Sequence, residues 1–224
     1  MLLLPIRVET LMFRYPLANV GIIAIACTVF VLLLIEQLPL SLVESMVLED
    51  FHPVGLFGHL FLHGDIFHIA GNMIFLWVFG NAICAKLGNV GYLLLYLLVG
   101  IGAAAAHLLI DGNPAIGASG AVNGIIGFYI ALHPVNRIHC LWWFWFRAGV
   151  FEISGFWMVM LWVAFDLWGA LSGAPGVAYW AHLGGLAAGF FLGVAALMLG
   201  WVKMTEYDNE TVVDLFLPNR TQRQ

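Results

Sequence analysis

The chain is short of charge. Asp, Glu, Lys and Arg make up 9% of its 224 residues, against about 25% in an ordinary soluble domain, while 62% are hydrophobic. That imbalance, with a mean hydropathy of +0.97, excludes a soluble globular fold and leaves an integral membrane protein. Cysteine is scarce too. Cys27, Cys84 and Cys140 fit no ligand spacing and sit in or beside apolar runs, so three free thiols are expected and no disulfide framework. The eight histidines place no His-x-x-x-His pair within one predicted helix and join no Cys–His cluster, so no metal or other cofactor is expected. The first apolar run, Met1-Leu2-Leu3-Leu4-Pro5, is too short for a cleaved signal peptide, lacks a basic lead and does not read as a transit peptide. No repeat relates the two halves, which argues against a transporter built on inverted repeats.

What the chain has is long apolar runs. An amphipathic lead-in over residues 1–16 precedes spans predicted at about 17–35, 68–85, 90–110, 116–132, 153–171 and 177–201. The fold class is therefore all-α, a six-span bundle over residues 1–202 with a polar tail at 203–224. Residues 37–67 mix polar and apolar groups and read as an interfacial first loop with short surface helices. Trp142-Trp143-Phe144-Trp145-Phe146, between Arg137 and Arg147, reads as an aromatic belt in the connector at 133–152. Six crossings put all eight basic residues (Arg7, Arg14, Lys86, Arg137, Arg147, Lys203, Arg220 and Arg223) on one side, which the positive-inside rule makes cytoplasmic. Both termini are then expected in the cytoplasm, with the start of the short fourth span opening to the opposite face.

Polar side chains at membrane depth are costly, so each one asks for a partner or a task. Ser119 lies among small residues, Gly117-Ala118-Ser119-Gly120-Ala121, where a helix start exposes both a hydroxyl and free backbone N–H groups. A lone small-residue turn is ordinary helix packing in lipid. His182 stands near the outer end of the sixth span, on the face that carries Gly185, Gly189 and Gly193, and Gly120, Gly124 and Gly127 offer the matching face of the fourth. His68 and Asn72, at i and i+4, start from the same side. Each alone reads as interhelical hydrogen bonding; together at one depth they read as nucleophile, base and donors.

In this order and on these spans, the motifs resemble the rhomboid intramembrane serine proteases. They are His-x-x-x-Asn (His68, Asn72), Gly-x-Ser-Gly (Gly117, Ser119, Gly120) and Ala-His-x-x-Gly-x-x-x-Gly (Ala181, His182, Gly185, Gly189), with Phe165-Asp166-Leu167 also like bacterial members. The resemblance implies Ser119 as nucleophile and His182 as general base in a dyad. It implies an oxyanion hole of the Ser119 N–H with the side chains of Asn72 and His68. Its implied substrates are single-span membrane proteins in the lipid bilayer, cut near the extracytoplasmic end of their helix, with no nucleic acid partner; the bacterial cytoplasmic membrane is the expected location. The alternative is a non-proteolytic relative that binds clients as a membrane chaperone. Where many members carry an aromatic ring four residues after the serine, this chain has Asn123, whose amide is expected to orient His182 by hydrogen bonding. Val54-Gly55 replaces the Trp-Arg pair of some bacterial members in the first loop. Asp166 is read as a structural or helix-end group, and His59, His63 and His107 as packing histidines.

Overall fold

The computed structural model describes residues 2–217. Its elements run β1 (Leu2–Val8), α1 (Leu17–Leu34), α2 (Leu40–Met46), α3 (Pro53–Gly58), a 3₁₀ turn (His59–Phe61), α4 (Ile66–Phe75), a π segment (Leu76–Gly80), α5 (Asn81–Leu87), α6 (Asn89–Ile110), α7 (Ser119–Leu132), β2 (Arg137–Phe144), β3 (Arg147–Ser154), α8 (Gly155–Ser172), α9 (Tyr179–Met198) and α10 (Val212–Phe216). Among the described residues, five helices are long and apolar enough to cross a membrane: α1, the continuous run α4–π–α5, α6, α8 and α9. The fold is a polytopic helical membrane bundle.

α7 is the short one. Its 14 residues reach roughly 21 Å, less than the ~30 Å hydrocarbon core of a bilayer, so it is too short to reach both surfaces. Almost all of it is buried from Gly120 to Leu132. It can be buried because its neighbour has no side chains in the way: a Cβ on Gly185 would collide with the Gly120 carbonyl oxygen, and one on Gly189 with that of Gly124. The α7 and α9 backbones therefore touch, the close approach that small residues permit in lipid.

α4 begins where it does because Asp65 caps it, its carboxylate accepting from the N–H groups of Phe67 and His68 at 2.8 and 2.9 Å. Lower down, in the π segment, the Leu76 carbonyl accepts from the Asn81 N–H and, with its second lone pair, from Asn19 Nδ2 at 2.8 Å. The same amide nitrogen donates to Asn81 Oδ1 (2.8 Å), and Tyr92 Oη donates to Asn19 Oδ1 (2.6 Å). α1, α5 and α6 are thus joined by a closed polar knot in an apolar interior.

Three regions differ from their sequence expectations. The connector at 133–152 and the lead-in at 1–16 form a three-stranded antiparallel sheet, order β1-β2-β3, pairing Leu2 with Trp143 and Val8 with Ile138. Aromatic residues favour strands as well as headgroup belts, and β1 meets β2 across more than a hundred residues, so no local pattern separates the two readings. The tail is held, not loose, as far as Leu217: Lys86 pairs with Asp208 at 2.5 Å, Asn209 donates to Asn136 at 2.9 Å, and Thr211 with Asp214 forms a capping box at the start of α10. Residues 218–224, with Arg220 and Arg223, lie outside the described residues. Cys27 is exposed and unpaired, and Cys84 and Cys140 are buried and unpaired.

Candidate active site

Ser119 is the first residue of α7, so its N–H and those of Gly120 and Ala121 have no partner within the helix. The loop that delivers it is strapped to the first loop at two places. Leu48 and Ala115 exchange backbone hydrogen bonds, both 3.0 Å, and the Gly117 N–H donates to the His59 carbonyl at 2.8 Å. Gly117 has φ +119°, and a Cβ there would stand 2.5 Å from His68 Nε2, so only glycine leaves room for that ring.

His182, one turn into α9, places Nε2 2.9 Å from Ser119 Oγ. Its other ring nitrogen, Nδ1, lies 3.1 Å from Asp166 Oδ1 on α8. Asn123 does not orient His182; its amide turns back along α7 and donates to the Ser119 carbonyl at 3.0 Å. An amide one helical turn after the serine meets that carbonyl at ordinary helix geometry, and the local bond wins over a longer reach. Asp166, a structural or helix-end group by its place in the sequence, is instead the side chain that meets the His182 ring. A spatial signal was available: α8 and α9 are joined by a short turn, and Asp166 and His182 stand within two turns of it on either side, facing one another across a helical hairpin.

Asn72, which lines the cavity described below, donates one amide N–H to the His68 carbonyl at 3.1 Å, and its second has no hydrogen-bond partner among the described residues. The Gly64 N–H donates to His68 Nδ1 at 3.4 Å, which assigns the ring proton to Nε2, on the Gly117 side. His63 stands behind His68, edge to face, with ring centroids 5.0 Å apart. Burial pushes the His63 imidazole down to about 4, with the nearby His68 adding to the effect, so His63 is a neutral wedge at ordinary pH. His59 Nδ1 bonds the Gly55 carbonyl and His107 Nε2 the Asn113 carbonyl, both at 2.8 Å, so these two rings brace loops.

Ser119, His182, His68, Asn72, Asn123 and Asp166 all line one cavity of about 530 Å³, whose remaining wall is largely apolar, including Phe75, Trp162 and Phe165. A second cavity of about 620 Å³ adjoins it at Asp65, His68 and Ile116 and reaches His107 and Tyr179. A hydroxyl in hydrogen-bond contact with an imidazole, at a helix N-terminus with free N–H groups and beside an amide donor, is an arrangement suited to acyl transfer. Among the described residues no group of three or more His, Cys, Asp or Glu side chains is placed to hold a metal ion.

The molecule is thus a helical membrane protein with a serine–histidine pair at a cavity within its bundle. The Rhomboid domain matches residues 50–199, and the chain belongs to the rhomboid family. It is similar to RHOMBOID-like protein 4 of Arabidopsis thaliana, 34% identical over 63% of this chain and 34% of that one. Rhomboid protein 1, mitochondrial, of Saccharomyces cerevisiae is 30% identical over 62% of this chain and 41% of its own. Rhomboid protease GluP of Bacillus subtilis is 31% identical over 63% of this chain and 25% of its own. The chain therefore spans between a quarter and about two-fifths of the length of these relatives.

Proposed function

We propose that this chain is an intramembrane serine endopeptidase working through Ser119 and His182. The 2.9 Å contact between Ser119 Oγ and His182 Nε2, at the cavity, is the observation that carries the reading. His182 Nε2 takes the hydroxyl proton as Ser119 Oγ attacks a peptide carbonyl, and the carbonyl oxygen becomes an oxyanion. The Ser119 N–H, the Asn72 amide and His68 Nε2–H are the donors suited to it. His182 then protonates the leaving amine as the C–N bond breaks. A water entering through the short-helix side repeats the sequence on the acyl-enzyme, and Ser119 is regenerated. Membership of the family, and the likeness to a relative named as a protease, support the reading.

The substrates are single-span membrane proteins, cut near the extracytoplasmic end of their helix. A helix has its carbonyls locked in hydrogen bonds, so residues that weaken it near the cut favour its entry as an extended strand. The sheet and the Lys86–Asp208 pair lie toward the cytoplasm and the Ser119 end opens to the opposite face, in a bacterial cytoplasmic membrane.

The test is cleavage of a tagged single-span substrate by purified protein in liposomes, beside Ser119→Ala and His182→Ala. Wild-type cleavage with both variants silent is the expected result. Failure of the wild type to cut or to react with a serine-directed fluorophosphonate would overturn the reading and leave a client-binding role.

A further inference from the structure

We propose that Asp166 is a positioning residue for His182, so that Ser119, His182 and Asp166 act as one hydrogen-bonded line; this rests on the endopeptidase reading above. The distances along the line are 2.9 Å from Oγ to Nε2 and 3.1 Å from Nδ1 to Oδ1. A carboxylate has acceptors and no proton to give, so His182 meets it with Nδ1–H. A neutral imidazole protonated at Nδ1 keeps its lone pair on Nε2, which is the atom facing the Ser119 hydroxyl. Asp166 therefore selects the tautomer that can act as a base. The opposite tautomer would point a proton at the nucleophile.

Other groups leave this task to Asp166. Asn123 is engaged with the Ser119 carbonyl, and the Tyr179 ring meets the imidazole only edge to face at 6.4 Å between centroids. Among the described residues, Asp166 pairs with His182 and with no Lys or Arg. Side-chain exposures of 16% for His182 and 18% for Asp166 put the pair mostly out of solvent, where an ionised carboxylate within a helix bundle is costly without a charged or polar partner. The partner it meets becomes a cation in the reaction. When the Ser119 proton moves to Nε2 and the Oγ–C bond forms, the imidazolium holds protons on both nitrogens, and Asp166 faces the one on Nδ1. Asp166 remains unprotonated, and the Nε2 proton goes on to the amine when the C–N bond breaks.

The experiment measures kcat and KM for cleavage of a single-span substrate in liposomes by wild type, Asp166→Asn, Asp166→Ala and Asp166→Glu, with Ser119→Ala as the blank. Thermal unfolding of each variant is recorded alongside. The rate of fluorophosphonate labelling of Ser119 gives a second readout that needs no peptide. The asparagine and alanine variants are expected to lose about 10- to 100-fold in kcat, less than a fully buried triad loses because this pair is partly solvated. KM should stay within about two-fold and labelling slow in step, while Asp166→Glu recovers most of kcat. Wild-type kcat in Asp166→Asn and Asp166→Ala overturns the inference and leaves Asp166 a helix-packing group. An equal loss in all three variants that follows a lowered unfolding temperature overturns it as well. Silence of the wild type in both assays fails the endopeptidase reading itself, and the role of Asp166 falls with it; active wild type beside unaffected variants fails this inference alone.

Discussion

Two polar clusters lie inside this bundle, and they differ in what they leave unfinished. The knot of Asn19, Asn81, Tyr92 and the Leu76 carbonyl is closed: Asn19 donates to Leu76 and Asn81 and accepts from Tyr92 at 2.6 to 2.8 Å, and no cavity opens on it among those described. The cluster of Ser119, His182, Asp166, His68 and Asn72 is open. Ser119 and Asn72 line a cavity, and the Ser119 N–H and one Asn72 N–H have no hydrogen-bond partner among the described residues. A closed cluster exchanges the cost of burying polar groups for helix registration, whereas an open one holds donors ready for charge that appears only during a reaction. Being buried and polar does not by itself mark a functional site in lipid; residual hydrogen-bonding capacity beside a space does.

The sharpest way to break this comparison is to remove the reacting atom. Ser119→Ala is expected to abolish cleavage, a loss of about 10³-fold or more, with the thermal unfolding of the purified protein unchanged. Loss of stability without loss of cleavage would place Ser119 with the structural cluster. Next comes a donor. Asn72→Ala should lower kcat on the order of 10²-fold, since one oxyanion donor is removed while the nucleophile and base stay, and KM for the substrate should move little. A variant cleaving at the wild-type rate would show that the Asn72 amide spends both its donors on the helix.

The closed cluster should respond in the opposite currency. Asn19→Ala strands the Tyr92 hydroxyl and the Asn81 side-chain oxygen, while the Leu76 carbonyl keeps its bond from the Asn81 N–H, and is expected to cost about 1–3 kcal/mol of stability. Its kcat per folded molecule should match the wild type, measured by active-site titration with a fluorophosphonate. A kcat deficit with unaltered unfolding would mean that the two clusters are coupled through α4 and the π segment, and the distinction between them would fail.

The two clusters were unequally legible in the sequence. Ser119, His68, Asn72 and His182 stand out because polar side chains interrupt glycine-rich apolar runs at spacings that repeat along a helix, which the sequence places at one depth. Asn19 and Asn81 are lone amides near span ends, and nothing local ties one to the other. Asp166 was visible as a residue but not as a partner, because its meaning depends on the α8–α9 hairpin placing it on Nδ1. The helices themselves follow from run length: α1 and α6 begin and end within one or two residues of the expected spans. The sheet does not, since Trp142 to Phe146 satisfies both a headgroup belt and a strand, and its pairing with Leu2–Val8 is decided by distant chain. The Lys86–Asp208 pair joins residues 122 apart, which is why the tail read as free.

The smallest effect concerns histidines on the rims of the bundle. Burial pushes both His63 and His133 down to about 4, so in the folded protein they stay neutral where an unfolded chain takes up a proton near pH 6.5. Their contribution is unchanged above about pH 6.5 and is lost as pH falls toward 4, because the unfolded state then binds protons that the fold refuses. By about pH 5.5 each histidine should cost about 1 kcal/mol, read as a lowered unfolding temperature by tryptophan fluorescence in detergent. Replacing His133 with Gln should flatten that slope and leave cleavage at neutral pH unaffected, since His133 stands at the far end of α7 from Ser119. Replacing His63 with Gln should flatten it equally but also slow cleavage, because His63 is the ring wedged behind His68. Equal cleavage in the two variants would mean that His68 is held by Gly64, Asp65 and Gly117 alone, and the open cluster would then end at the residues lining its cavity.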